Sequence, residues 1–506
     1  MSPRLQALRS TQTFDVLVLG SQVAGAVAGA LLARRGYRVL AVEHAPLTTG
    51  YVEGNHRLPL GPTLLPQLRH LPAAQTVLDE LGLWPEAGRA AQNLAGVQIL
   101  EGHARLDLFI EAGRRNAEIQ REFGGKAAGH ARAIDALIKR EEQNGPIFAG
   151  HLPLPAEGAI ERWRQGRAST ALQIGNAAEL VTPVDHPLSR GLKELWRLSN
   201  NLVEQESLPE PNVVSQPARA ALRPLGQWLR GLCHFPGGEA GLAALLRRRI
   251  EASGGTVLSG EGAVVEELIV EGGRIAAIKL LDSPNQYRAR TVVAALDSDS
   301  LRELIPAGAR QGRWTHGLEA VRTRSQLVTL NLIIPAGGLP PGLAEAAVGL
   351  PAGQGRSFFF QVIPAERVSG PTPAGEKLVT LCMQVPPQSL GAGEEAVRKL
   401  IQELRRNAEL FLPFLGHHVA LESSPQLSAH DAGGTTRRLH PRLEIARLRQ
   451  LGVTGLGPRS VLKNVVLASH EVLPGLGLEG QFLSGLGAAG IVQRMVKKAD
   501  PLAKQG

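Results

Sequence analysis

Gly20, Gln22 and Gly25, with Glu43 further along, are the residues of this 506-residue chain whose types and spacing most directly suggest chemistry. Gly20 follows the aliphatic run Val16 to Leu19. Ser21, Gln22, Ala24 and Gly25 then open a helix rich in alanine and glycine that ends near Gly36, and a second aliphatic run ends on Glu43. In a strand, turn, helix and strand of this kind, turn glycines let the backbone approach a pyrophosphate at the helix N-terminus, and an acid about 20 residues on accepts hydrogen bonds from a ribose. The chemistry implied is dinucleotide binding. One position departs from G-x-G-x-x-G: Gln22 stands where the middle glycine would lie closest to the pyrophosphate. Its side chain is expected to obstruct that path.

The elements around these residues have a plainer explanation too, because any parallel α/β sheet can begin with a strand, a glycine turn and a closely packed helix. The 18 residues from Val16 to Ala33 carry no charge and are nearly long enough to span a membrane. Gly20, Ser21 and Gln22 interrupt them, and the flanking strand pattern accounts for the run better.

With 43% hydrophobic and 20% charged residues, the composition is that of an ordinary globular protein of two to three domains. The net charge of +9 and pI near 9.9 raise the question of nucleic acid. The basic residues are dispersed, however, with Arg247 to Arg249 the only run of three, and aromatic residues make up 4% of the chain. Nucleic acid is therefore not an expected partner, whereas an anionic membrane surface suits the charge. Cys233 and Cys382 are far apart, which argues for a reducing compartment and against a disulfide framework or cysteine-based metal site. No secretory signal opens the chain, so a cytoplasmic location is expected.

Three further stretches extend the first. After the acid comes VEGNHRLPLGPTLL, with a Gly61-Pro62-Thr63 turn between apolar runs. His234 to Leu280 reads as a Pro-Gly-Gly turn, a helix over Ala240 to Ser253, a strand Thr256 to Leu258 and a hairpin of Ala263 to Val270 with Arg274 to Leu280. A buried strand from Tyr287 to Leu296 follows. Lys463 to Val496 has a strand at Val465 to Leu467, then Pro474-Gly475-Leu476-Gly477, Gly480, Ser484-Gly485 and a helix of small residues. Between these lie helical patterns at Gln75 to Leu83, Leu106 to Phe123, Ala127 to Glu142 and Glu394 to Leu412. Short helices are expected in the proline-punctuated region 145–224, and strands ending at proline in SQLVTLNLIIP, SFFFQVIP and KLVTLCMQVP.

In this order and spacing the stretches resemble a family of FAD-dependent oxidoreductases whose members include phytoene desaturases and related carotenoid desaturases and isomerases. The resemblance implies an α/β fold: a Rossmann-type FAD domain assembled from 14–105, 231–310 and 455–498, and a substrate domain of antiparallel sheet and helices from 106–230 and 311–454. It implies FAD as cofactor, held by Gly20, Ser21, Gln22, Ala24, Gly25, Glu43, Gly61, Pro62, Thr63, Val264, Ser469, Pro474, Gly475, Gly477 and Gly480. Ser469 stands where the family has glycine and Glu479 where it has proline. No catalytic residue is assigned, because in such chemistry the cofactor carries the reaction. No metal site is expected either; His417-His418 is a pair without further ligands.

Two functional readings follow. The first is an oxidoreductase acting on a long apolar substrate such as a carotenoid, isoprenoid or other lipid. The second is a flavin-free homologue serving as a binding, scaffold or assembly protein, because the side chain at position 22 can occupy the pyrophosphate's place. Peripheral attachment to the inner face of a membrane is expected to run through 145–230, where Trp163, Trp196 and Trp228 sit among arginines.

Overall fold

The computed structural model describes residues 11–44, 50–149, 154–171, 187–202, 222–281, 283, 285–310, 318–352, 355–365, 367, 375–413, 415–428, 439–445, 450–459 and 462–496. Strand β1 (Thr11–Leu19) is followed by helix α1 (Val23–Arg34) and β2 (Val39–Val42). Much later come α2 (Gly238–Ala252), β3 (Gln286–Ala294), β4 (Val465–Leu467) and α3 (Gly477–Met495). They form one seven-stranded sheet in the order Thr256–Leu258, β2, β1, β3, then the antiparallel hairpin Arg274–Leu280 with Val265–Glu271; β4 also pairs with β3. The four parallel neighbours around β1 and β3 bring their C-terminal ends to one edge: Leu19 pairs with Ala294 and Val42, and Ala294 with Leu467. That edge is where α/β folds of this kind bind ligands.

The uncharged run is explained by packing. Helix α1 is buried from Val23 to Ala33 between the sheet, α2 and α3. Its alanines and glycines allow the approach; a Cβ at Gly485 of α3 would lie 2.4 Å from the Ala24 carbonyl oxygen.

The eight-stranded second sheet contains all three of the proline-ended strands, at Val321–Ile334, Phe358–Pro364 and Lys377–Val385, paired antiparallel. The strands Gly96–Glu101 and Ala104–Phe109 join it through Ala346–Leu350, so the chain enters this sheet at Gly96. The expected helix from Leu106 is therefore a strand up to Phe109, and the helix begins at Ala112. Leu106 and Leu108 alternate with Arg105 and Asp107, a period of two that the cross-strand partners use. The helix from Ala127 is longer than its apolar pattern and runs through Pro146 to Ala149.

In the helical region the three tryptophans separate. Trp228 is buried against Phe359, with ring centroids 6.4 Å apart, and Trp196 is partly buried with the Arg442 guanidinium 5.6 Å from its ring. Of the three only Trp163 is exposed, so the attachment expected through all of them cannot use Trp228. Among the described residues no helix is long and apolar enough to cross a membrane.

Candidate functional site: the strand-end crevice

At the turn after β1, two of the three fingerprint positions serve the fold. Gly20 has φ +107°, and a Cβ there would sit 2.3 Å from the Ala295 carbonyl oxygen; at Gly25 it would sit 2.2 Å from the Ala295 Cβ. The ends of β1 and β3 can meet only across glycine, and Ala295 N–H does donate to the Leu19 carbonyl at 2.7 Å.

The third position carries Gln22, and its side chain crosses the crevice. Its Nε2 donates to Asp297 Oδ1 at 3.0 Å, beyond the end of β3. Its Oε1 accepts from the His470 backbone N–H at 3.0 Å, beyond β4, and lies 3.0 Å from His470 Nδ1. One amide thus joins three strand ends at the place a pyrophosphate would take. The neighbours on that edge are acidic. Glu471 is buried and accepts from the Ser298 N–H at 2.8 Å and the Ser298 hydroxyl at 3.1 Å. Ser469, also buried, begins this turn, its hydroxyl accepting from the Glu471 N–H at 3.3 Å.

Burial, with the charge of Asp297 adding to it, pushes the Glu471 carboxyl up from 4.5 to about 8. The fold therefore holds a proton there that the unfolded chain releases. The associated stability is complete below about 4.5 and is lost as the pH climbs toward about 8. Urea unfolding across that window should show a flatter pH dependence for Glu471→Gln than for the wild type. Equal slopes would remove Glu471 as the source.

The ribose end is closed as well. Glu43 is buried and ion-paired with Arg247 of α2, whose Nη1 also donates to the Ser21 carbonyl at 3.2 Å. Burial raises the Glu43 pKa, Arg247 opposes the rise and Glu251 adds to it. The expected ribose acceptor is thus ion-paired, although its buried Oε1 accepts no hydrogen bond among the described residues. Val264 lies in the neighbouring hairpin, its carbonyl accepting from Leu281 N–H at 2.8 Å. The Gly61-Pro62-Thr63 turn is clamped to the second sheet: Thr63 N–H donates to Gln361 Oε1 at 2.9 Å and Gln361 Nε2 donates to Thr63 Oγ1 at 2.7 Å.

At the start of α3, Pro474, Gly475, Gly477 and Gly480 are buried in the turn and first helical residues. The helix begins at Gly477, ahead of the Ser484-Gly485 pair where the small-residue pattern is densest. Glu479, in its first turn, is fully buried and takes Arg223 Nε at 2.6 Å, Arg223 Nη2 at 3.1 Å and Gln227 Nε2 at 2.7 Å. Arg223 Nη1 reaches on to Glu141 Oε2 at 2.9 Å, and its guanidinium lies 4.0 Å from the centre of the Phe148 ring. Between this helix start and the second sheet, beside Pro62, Trp228, Phe359 and His440, lies a cavity of about 40 Å³. That holds a few waters, whereas small-molecule sites occupy about 300 to 1,000 Å³.

The structure thus gathers the predicted residues from positions 20–25, 43 and 469 at one edge, yet the residues present do not fit a dinucleotide. An amide side chain crosses the pyrophosphate's place, Asp297 stands beside it, and Arg247 is paired with the ribose acceptor. Sequence reasoning missed Arg247, Asp297, His470 and Glu471 because each acts on a residue remote in the chain. Arg223 and Gln227, four apart, carried the weak signal of a shared helical face. Among the described residues no group of three or more His, Cys, Asp or Glu could hold a metal.

A family model described as an NAD(P)-binding Rossmann-like domain matches residues 18–81. No curated protein matches the chain. Similar solved structures include an oxidoreductase from Methanosarcina mazei, with 14% identity, TM-score 0.57, and coverage of 94% of this chain and 100% of that one. A putrescine oxidase variant with redesigned cofactor binding has 13% identity, TM-score 0.58, and coverage of 96% and 100%. A RAB GDI from Plasmodium falciparum has 10% identity, TM-score 0.50, and coverage of 95% and 98%. The chain thus has a mixed α/β fold with a Rossmann-like domain, and shares its overall fold with these solved oxidoreductases.

Proposed function

We propose that this chain is a flavin-free member of that fold, acting by binding or assembly. The observation that carries the reading is the Gln22 side chain bonded to both Asp297 and His470 across the strand-end crevice. An FAD pyrophosphate would have to displace both bonds and then face Asp297. A fold does not bring its chemistry with it, and one of the similar structures is a RAB GDI, not an oxidase.

The second reading is a flavin-dependent oxidoreductase of the phytoene desaturase-like kind acting on a long apolar substrate, a carotenoid, isoprenoid or other lipid. What favours it is the likeness to oxidases over nearly the whole chain. It requires Gln22 and Arg247 to swing out of the crevice.

Visible absorbance of the purified protein and an equilibrium FAD titration decide between the two. The wild type should be colourless and show no saturable binding. Gln22→Gly, which removes the obstruction at the helix N-terminus, should bind FAD more tightly than the wild type. A yellow wild-type protein carrying one flavin per chain would overturn the flavin-free reading. A variant no better than the wild type would show that Gln22 is not the obstruction.

A further inference from the structure

We propose that the helix Ala159–Ala171 and the two hollows beside it form a seat on an anionic phospholipid surface. Ile160 and Trp163, one turn apart on this helix, are 69% and 61% exposed. The other strongly exposed large apolar residues among those described, Val52, Leu281 and Leu410, lie on separate elements. Single exposed apolar residues are ordinary, but this pair shares its face with two cations. Positions 160, 163, 164 and 167 fall on one side of a helix; Arg164 and Arg167 are exposed there, with the Arg167 guanidinium 5.1 Å from the centre of the Trp163 ring. An indole, an aliphatic side chain and flanking guanidinium groups are the composition of a helix that lies in the headgroup boundary of a bilayer.

The space behind the helix fits the same ligand. A hollow of about 500 Å³ is lined by Arg162, Arg459 and Arg494 with Glu157 and Glu161. Both acids face inward and are engaged. Glu157 pairs with Arg459 at 3.0 Å. Glu161 accepts from the backbone N–H groups of Glu157 at 2.9 Å and Gly158 at 3.3 Å, and lies 3.4 Å from Arg494. Three guanidinium groups against two carboxylates leave this hollow cationic. Through Pro155, Glu157, Glu161, Pro458 and Arg494 it adjoins a second hollow of about 330 Å³, whose remaining walls include Phe148, Leu154, Leu483 and Ile491. A cationic hollow adjoining one with largely apolar walls is complementary to a phosphate headgroup and the acyl chain joined to it. The net charge of +9 favours the same surface at long range. This seat is independent of whether the strand-end crevice is closed.

The test is flotation of the full chain with vesicles of phosphatidylcholine, with and without phosphatidylglycerol. The wild type should float with the anionic vesicles, less at high salt, and remain below with phosphatidylcholine alone. Ile160→Ser/Trp163→Ser should lower vesicle affinity about tenfold or more, as expected for two apolar side chains withdrawn from the boundary. Arg164→Glu/Arg167→Glu should weaken binding to the anionic vesicles and reduce its salt sensitivity. All four side chains are exposed, so the thermal midpoint of both variants should match the wild type. Inorganic phosphate at matched ionic strength should not release the protein; release would mark a site for free phosphate and overturn the commitment to a lipid surface. A wild type that stays below with anionic vesicles, or variants that float as well as it does, would also overturn it.

Discussion

Arg223→Met is expected to destabilise the protein by about 3 to 5 kcal/mol, because removing one member of a buried ion pair leaves the others without compensation. Arg223 supplies two hydrogen bonds to Glu479 and one to Glu141, and all three side chains are buried. Burial works against the Arg223 charge, but the Glu479 and Glu141 carboxylates outweigh it and hold its pKa above the usual value. Burial raises the Glu141 pKa while Arg223 pulls it back down, so the guanidinium is what keeps this carboxylate ionised. Methionine fills similar volume but offers no donor. Pairing the change with Glu479→Gln removes the stranded carboxylate and should recover a good part of the loss. Denaturant unfolding of the single and double variants measures this. A single variant within about 1 kcal/mol of the wild type would mean that the cluster contributes no more than an exposed pair does.

The second large effect is expected at Gly20. Gly20→Ala should lose about 2 to 5 kcal/mol, combining a side chain held at positive φ with one forced against a neighbouring backbone. The φ of +107° disfavours any Cβ, and the Cβ would meet the Ala295 carbonyl oxygen at 2.3 Å, an atom fixed by its place at the end of β3. Unfolding by heat or denaturant reads the loss. A variant as stable as the wild type would show that the ends of β1 and β3 can separate without penalty. The contrast with position 22 is informative. The glycines that strand packing requires, Gly20 and Gly25, are both in place, and the one whose purpose is to admit a pyrophosphate is replaced by glutamine. The turn is built for the sheet.

The same separation governs what could be read in advance. The sequence by itself determined the mixed α/β class, the opening strand, turn and helix, the hairpin after Thr256, the proline-ended strands and β4. Each of these rests on periodicity and punctuation among residues a few positions apart. Where two periods competed, as at Leu106 to Phe109, the cross-strand partner decided. Which side chains occupy the dinucleotide crevice was decided by tertiary structure alone. Gln22 alone could stand as an obstruction or turn aside; its partners Asp297 and His470 lie 275 and 448 residues away and leave no local mark. Nothing near Glu43 in sequence announces Arg247 as its partner, and Glu479 reads as a misplaced acid until Arg223 is brought beside it. Trp228 and Trp163 have similar neighbours in sequence, yet one faces Phe359 in the core and the other water. Local pattern fixes which face of an element is apolar. Which polar groups meet across a crevice depends on the register in which distant strands end, and that is set only when the sheet is assembled.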